Sequence, residues 1–196
     1  MAAITTVEEW STFADGSEYF SKTWHQRGSL KATVLFIHGL GEHIGRYDHV
    51  FPSFAVEGIR VLGWDQRGFG RTGRRGNAIL GHNGGEDQAL ADIAQVDARA
   101  RSKGVPHFVM GHSMGGGLAL KYVSGALAKG GIDGLIASAP LVEPGSKTKP
   151  SIIEYYAVLA LSKILRTVVM DNHVDEKELS RDPVAVKAYL GTSVRV

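Results

Sequence analysis

At 196 residues, with 43% hydrophobic and 21% charged content, the chain can bury one substantial core but not comfortably two. The net charge of +2 is nearly balanced, and only Arg71, Arg74 and Arg75 cluster, in a glycine-rich loop. A nucleic-acid partner is therefore not expected, since its binding face would need a sustained basic patch. Absence of cysteine excludes disulfides, thiolate metal sites and cysteine nucleophiles.

The N-terminus, Met-Ala-Ala-Ile-Thr-Thr-Val-Glu-Glu, carries acids where a secretory signal carries bases. A hairpin is expected next, with Glu9–Phe13 and Tyr19–Trp24 flanking an Asp15-Gly16 turn. The continuous apolar run Ala32–Ile37 suits a strand covered on both faces, as in a parallel sheet. It leads into the loop His38-Gly-Leu-Gly-Glu-His43, then a helix around Tyr47–Glu57 closed by Gly58. The unit repeats: strand Arg60–Trp64, loop Asp65–Gly70, and a helix from about Glu86 to Lys103 ended by Gly104. A third unit pairs the strand ending at His112 with a helix over Leu118–Leu127, and Leu135–Ala139 is a fourth such strand, stopped by Pro140. Strand–helix alternation with short loops specifies an α/β class with a doubly wound, mostly parallel sheet.

Beyond Glu143 the rhythm breaks. Pro144, Gly145 and Pro150 mark a linker before an expected helix over Ser151–Met170, so the domain reading is a core over 1–143 and a partial helical lid or cap over 144–196. Ile152, Ile153, Tyr155, Tyr156, Val158 and Leu159 spread round more than one narrow stripe. That helix is either buried on several sides or a lid whose apolar side meets a lipid-like substrate or a membrane surface. Glu154, Lys163 and Arg166 argue against a membrane span. A final weak helical stretch covers Asp175–Leu190.

Chemistry concentrates at Gly111-His-Ser113-Met-Gly115. A serine hydroxyl becomes a useful nucleophile when a sharp strand-to-helix turn lifts it clear and aims it at a base, and Gly-x-Ser-x-Gly permits that turn. In a chain with 25 glycines the pentapeptide alone is weak. The strand before Ser113 and the helix after it strengthen it. Acyl transfer also needs fixed N–H donors for the developing oxyanion. In this architecture they are the amide of the residue after the nucleophile, Met114, and one from the early loop, most plausibly Leu40. Gly39 and Gly41 could otherwise mark an ordinary tight turn. His38 and His112 are expected to position backbone or fill space. His43 and His49 show no metal-ligand spacing, so no metal and no cofactor are expected. Asp65 and Arg67 are read as making structural hydrogen bonds and an ion pair. Gly68-x-Gly70-x-x-Gly73 matches a dinucleotide fingerprint, but Arg74-Arg75-Gly76 follows where a helix should open, so that reading fails.

His-Gly-Leu-Gly-Glu-His at 38–43, Gly-Arg-Tyr at 45–47, Asp-Gln-Arg-Gly at 65–68, Gly-His-Ser-Met-Gly-Gly-Gly at 111–117, Ser-Ala-Pro-Leu at 138–141 and Ser-Arg-Asp-Pro at 180–183 resemble the monoacylglycerol lipase family of α/β-hydrolases, its fungal members most. The resemblance implies a serine hydrolase cleaving monoacylglycerols or similar esters, with Ser113 as nucleophile, Leu40 and Met114 as the oxyanion hole, and a helical lid after Ala139. It also implies a small lipid ester as partner and a cytoplasmic location, with peripheral membrane or lipid-droplet contact through 151–170.

In that family the triad acid and histidine follow the lid. This sequence reads as ending within the lid, so both are expected to be absent from it and the fold incomplete at its C-terminus. His173, with Asp171 two residues before it, keeps the formal Ser-Asp-His order but belongs to the lid stretch. The competing expectation is a catalytically inactive fragment or a binding module with a vestigial elbow.

Overall fold

The apolar runs of the sequence build the centre of the sheet. The computed structural model describes residues 4–76, 78–128, 130–142, 181–184 and 186–187. Its strands are β1 (Thr6–Thr12), β2 (Glu18–Trp24), β3 (Ala32–Ile37), β4 (Ile59–Trp64), β5 (His107–His112) and β6 (Gly134–Ser138). They form a six-stranded sheet in the order β1-β2-β4-β3-β5-β6. The β1–β2 hairpin joins antiparallel to β4, whereas β4, β3, β5 and β6 run parallel. The lid stretch Ser151–Met170, together with Asp171 and His173, lies outside the described residues.

Alternation along β3 shows why its run is continuously apolar. Leu35 and Ile37 face one core with Leu62, Trp64 and Val109, under helices α2 (Glu86–Ala100) and α3 (Met114–Ser124). Val34 and Phe36 face the other, with Phe20, Trp24 and Val61, under α1 (Phe51–Val56). Each face needs its own apolar set because side chains alternate across a strand. The doubly wound expectation holds for the described residues.

Three helices differ from their sequence-based limits. The stretch expected as one helix over Tyr47–Glu57 is a 3-10 turn at Ile44–Tyr47 followed by the short α1. Pro52, in the first turn of α1, has no N–H for a continuous helix and is tolerated only at a start. Helix α2 stops at Ala100 rather than Lys103, because the Arg60 guanidinium takes the Ala100 and Arg101 carbonyls at 3.1 and 3.3 Å. Helix α3 starts at Met114, not Leu118, since Gly117 N–H already donates to Ser113 C=O at 3.1 Å.

Two arginines of the glycine-rich loop are occupied by the hairpin. Arg71 stacks over Phe20 and pairs with Glu8 at 2.9 Å, while Arg75 stacks over Trp10 and pairs with Glu18 at 2.6 Å. Arg67 and Arg99 similarly cover Phe13 and Tyr19. These contacts anchor the outer hairpin to the sheet through aromatic faces and acids.

A buried carboxylate ties α2 to the sheet. His107 Nε2 donates to Asp97 at 2.6 Å, Tyr122 Oη at 2.7 Å and Arg101 Nε at 2.9 Å. The other His107 ring nitrogen accepts from the Thr33 hydroxyl at 2.8 Å. Burial pushes the Asp97 carboxyl up, but the donors outweigh it and hold it below the usual carboxylate range. Its contribution to stability is therefore fully present above the unfolded carboxylate range and lost as pH falls below that range through the lowered folded value. Replacing Asp97 with Ala strands the buried His107 and Tyr122 donors and the half-buried Arg101, and is expected to cost about 3 kcal/mol. Tyr122→Phe removes one hydrogen bond and costs about 1 kcal/mol, both read from urea denaturation at pH 7.

Candidate active site

Ser113 lies between β5 and α3 with φ 53° and ψ −120°, a backbone conformation that costs a non-glycine residue on the order of 1–3 kcal/mol. Tight crossing holds it there. A Cβ on Gly111 would stand 2.2 Å from the Gly115 carbonyl oxygen, and one on Gly115 would stand 2.2 Å from that of Ile37. One on Gly117 would meet the Leu141 oxygen at 2.4 Å. No other residue type fits these positions, which accounts for the glycines flanking the serine. The strained backbone is also pinned: Ser113 N–H donates to Ser138 C=O at 3.0 Å, and Leu141 N–H donates to Ser113 C=O at 2.9 Å.

The loop after β3 comes to the same place. A Cβ built on Gly39 would lie 3.2 Å from Ser113 Cβ, so the 38–41 loop and the serine are neighbours. Gly39 N–H is taken by the Glu42 carboxylate at 2.8 Å. The N–H groups of Leu40 and Met114 donate no hydrogen bond among the described residues. Exposed Leu40 and Leu141 give the surroundings an apolar character.

His38 positions backbone, as expected. Its Nε2 accepts from Gln66 N–H at 3.0 Å, which leaves Nδ1 as the donor to the Gly39 carbonyl at 2.8 Å. Gln66 Nε2 returns a bond to the His38 carbonyl at 2.7 Å. With both ring nitrogens engaged, His38 is not available as a base. His112 is half-buried and lies 3.4 Å from the Ser138 hydroxyl. Among the described residues no histidine hydrogen-bonds the Ser113 hydroxyl.

Asp65 makes the structural bonds expected of it, accepting from Ile44 N–H at 2.7 Å and Arg71 N–H at 2.6 Å. Arg67 does form an ion pair, but with Asp92 at 3.0 Å and Asp15 at 2.8 Å. The dinucleotide look-alike is a loop with a 3-10 turn at Thr72–Arg74, and Gly70 is glycine because Asp65 Oδ2 would sit 2.2 Å from any Cβ. No group of three or more metal-ligating side chains occurs among the described residues. Sequence reasoning missed Glu42 and Gln66. Glu42 had a signal: an acid three residues after a backbone N–H needing a partner, the spacing of a helix capping box.

Residues 28–193 match the hydrolase family described as serine aminopeptidase, S33. The chain belongs to that family. Among its relatives, the putative monoglyceride lipase of Schizosaccharomyces pombe is 33% identical over 85% of this chain and 44% of its own length. The monoacylglycerol lipase of Mycolicibacterium smegmatis is 30% identical over 96% of the chain and 65% of its own. The crystal structure of a soluble variant of Saccharomyces cerevisiae monoglyceride lipase, in complex with a substrate analog, aligns with TM-score 0.79 and 28% identity. That alignment covers 98% of this chain and 65% of the yeast one. The fold is that of the α/β-hydrolases. The chain thus spans less than two thirds of the length of these family relatives.

Two outcomes test the site physics. Ser113→Gly relieves the backbone strain and is expected to be about 1 kcal/mol more stable than Ser113→Ala in thermal melts. Burial pushes the His38 imidazole below its usual range, and His43 shifts the same way for the same first cause. The folded state therefore binds fewer protons than the unfolded one just below the free imidazole value. Urea stability is expected to fall between pH 7.5 and 5.5, by up to about 1.4 kcal/mol per pH unit for each histidine, and still to fall in His43→Gln.

Proposed function

We propose that this chain is the nucleophile-bearing core of a serine ester hydrolase acting on monoacylglycerols. The single observation that carries the reading is Ser113 on its strained elbow, near the Leu40 and Met114 amides, which donate to no group among the described residues. The resemblance of the 38–43, 65–68 and 111–117 motifs and the monoglyceride lipase relatives support that substrate class over an inactive binding module.

In the proposed reaction Ser113 Oγ attacks the ester carbonyl carbon as its proton passes to a base. The carbonyl oxygen becomes an oxyanion held by Leu40 and Met114 N–H. Collapse expels the glycerol oxygen, which takes the proton, and leaves an acyl-serine. Water then adds to the acyl carbon and releases the fatty acid. Base and acid are not among the described residues.

Apolar Leu40 and Leu141 flank the serine and suit an acyl chain better than a charged peptide. We assign the same role to the apolar sequence over 151–170, with contact to a membrane or lipid droplet as its surface counterpart. No helix among the described residues is long and apolar enough to cross a membrane.

Two measurements test this reading. Joined to a C-terminal segment that supplies a histidine base and its acid, the chain is expected to release oleate from monooleoylglycerol and to label with a fluorophosphonate, with both signals lost in Ser113→Ala; without that segment turnover is expected to be slight. Retention of either in that variant would overturn the assignment.

A further inference from the structure

We infer that Glu42, acting with His38, is a positioning residue that fixes the Gly39–Leu40 peptide and aims the Leu40 amide at Ser113. The inference rests on the hydrolase reading above and adds the device that orients its oxyanion donor.

The carbonyl of Gly39 and the N–H of Leu40 belong to one planar trans peptide and point in opposite directions. Whatever holds that carbonyl therefore sets where the amide points. His38 Nδ1–H holds it at 2.8 Å, from a ring fully buried and anchored by Gln66. One peptide earlier, Glu42 Oε2 holds Gly39 N–H at 2.8 Å. Both peptide units of Gly39 are thus tied to side chains, and the residue cannot rotate without breaking one bond.

The carboxylate is itself fixed. Tyr47 Oη donates to Glu42 Oε2 at 2.6 Å, and Arg46 Nη1 lies 3.7 Å from Oε1. Burial and the Glu42 charge together push the Tyr47 phenol up, so it remains a donor. A Cβ on Gly39 would stand 2.9 Å from Glu42 Oε2 and 3.2 Å from Ser113 Cβ, so one α-carbon separates the carboxylate from the serine. A bare negative charge so placed would oppose an oxyanion forming at Ser113. Gly39 N–H, the Tyr47 hydroxyl and the Arg46 guanidinium draw on that charge, so Glu42 can serve as an acceptor there. Its side chain is 10% exposed and Oε2 already accepts two hydrogen bonds, which leaves little of it for a substrate.

Amide hydrogen exchange of this chain by NMR is the first test, on the parent, Glu42→Gln, Glu42→Ala and Tyr47→Phe. Gly39 exchange is expected to rise about tenfold or more in Glu42→Ala and to stay within about threefold in Glu42→Gln, which keeps an acceptor oxygen, while Leu35 and Val109 hold their rates. Unchanged Gly39 exchange in Glu42→Ala overturns the inference. If that variant does not fold, Tyr47→Phe decides: faster Gly39 exchange supports the clamp and unchanged exchange overturns it.

The second test is ester hydrolysis by the chain joined to a segment that supplies the base and acid. For Glu42→Ala, kcat is expected to fall about tenfold with KM within about twofold, and Glu42→Gln to recover most of it. A raised KM with kcat intact would make Glu42 a substrate contact and overturn the inference. Undiminished hydrolysis by Ser113→Ala would sink the hydrolase reading instead, and the exchange experiment would still decide the clamp.

Discussion

Two backbones pressed together govern this molecule. The first turn of α3 lies so close to the end of β3 that only a hydrogen fits on Gly115 beneath the Ile37 and His38 carbonyls. That closeness brings the serine corner and the loop after β3 within reach of one another. It also explains why the elbow tolerates a positive φ at a serine: surrounding packing and two hydrogen bonds over-determine a conformation the residue would not choose alone.

The loop after β4 is the common support. Its consecutive residues Asp65, Gln66 and Arg67 each brace a different element. Asp65 holds the start of the 3-10 turn, Gln66 holds His38, and Arg67 holds α2 and the hairpin turn. Sequence alone makes these look like three polar residues at a strand end. In space they connect both cores and the loop carrying Leu40. Charge and hydrogen bonding thus do at the strand tips what apolar burial does along the strands.

Much of this was legible because it follows from local pattern. The run Ala32–Ile37 matched β3 to the residue, since a strand buried on both faces leaves no polar interruption to misread. Gly58 marked the end of a helix through its positive φ, and the serine corner announced itself through its glycines. What was hidden depended on partners distant in the chain. Gly115, Gly116 and Gly117 argue against helix by propensity, which placed the start of α3 too late; close packing against Ile37, Pro140 and Leu141 overrides propensity there. Ala139 reads as the last residue of a strand yet sits at φ 43°, because the chain must turn there for Leu141 to reach Ser113. The ties from His38 to Gln66 and from Asp97 to His107 join side chains whose meeting no spacing encodes.

The bonds from Ser138 and Leu141 to Ser113 carry a consequence for how this fold comes into being. The corner is not a self-contained strand-turn-helix cassette. A nascent chain emerging only as far as α3 has made the serine but not the acceptor and donor that hold it, which arrive with β6. Until that later strand docks, the positive-φ corner rests on the packing of α3 against β3 alone and lacks the two bonds that pin it. The same dependence means that grafting residues 107–124 onto another parallel sheet would transfer the motif without transferring its geometry.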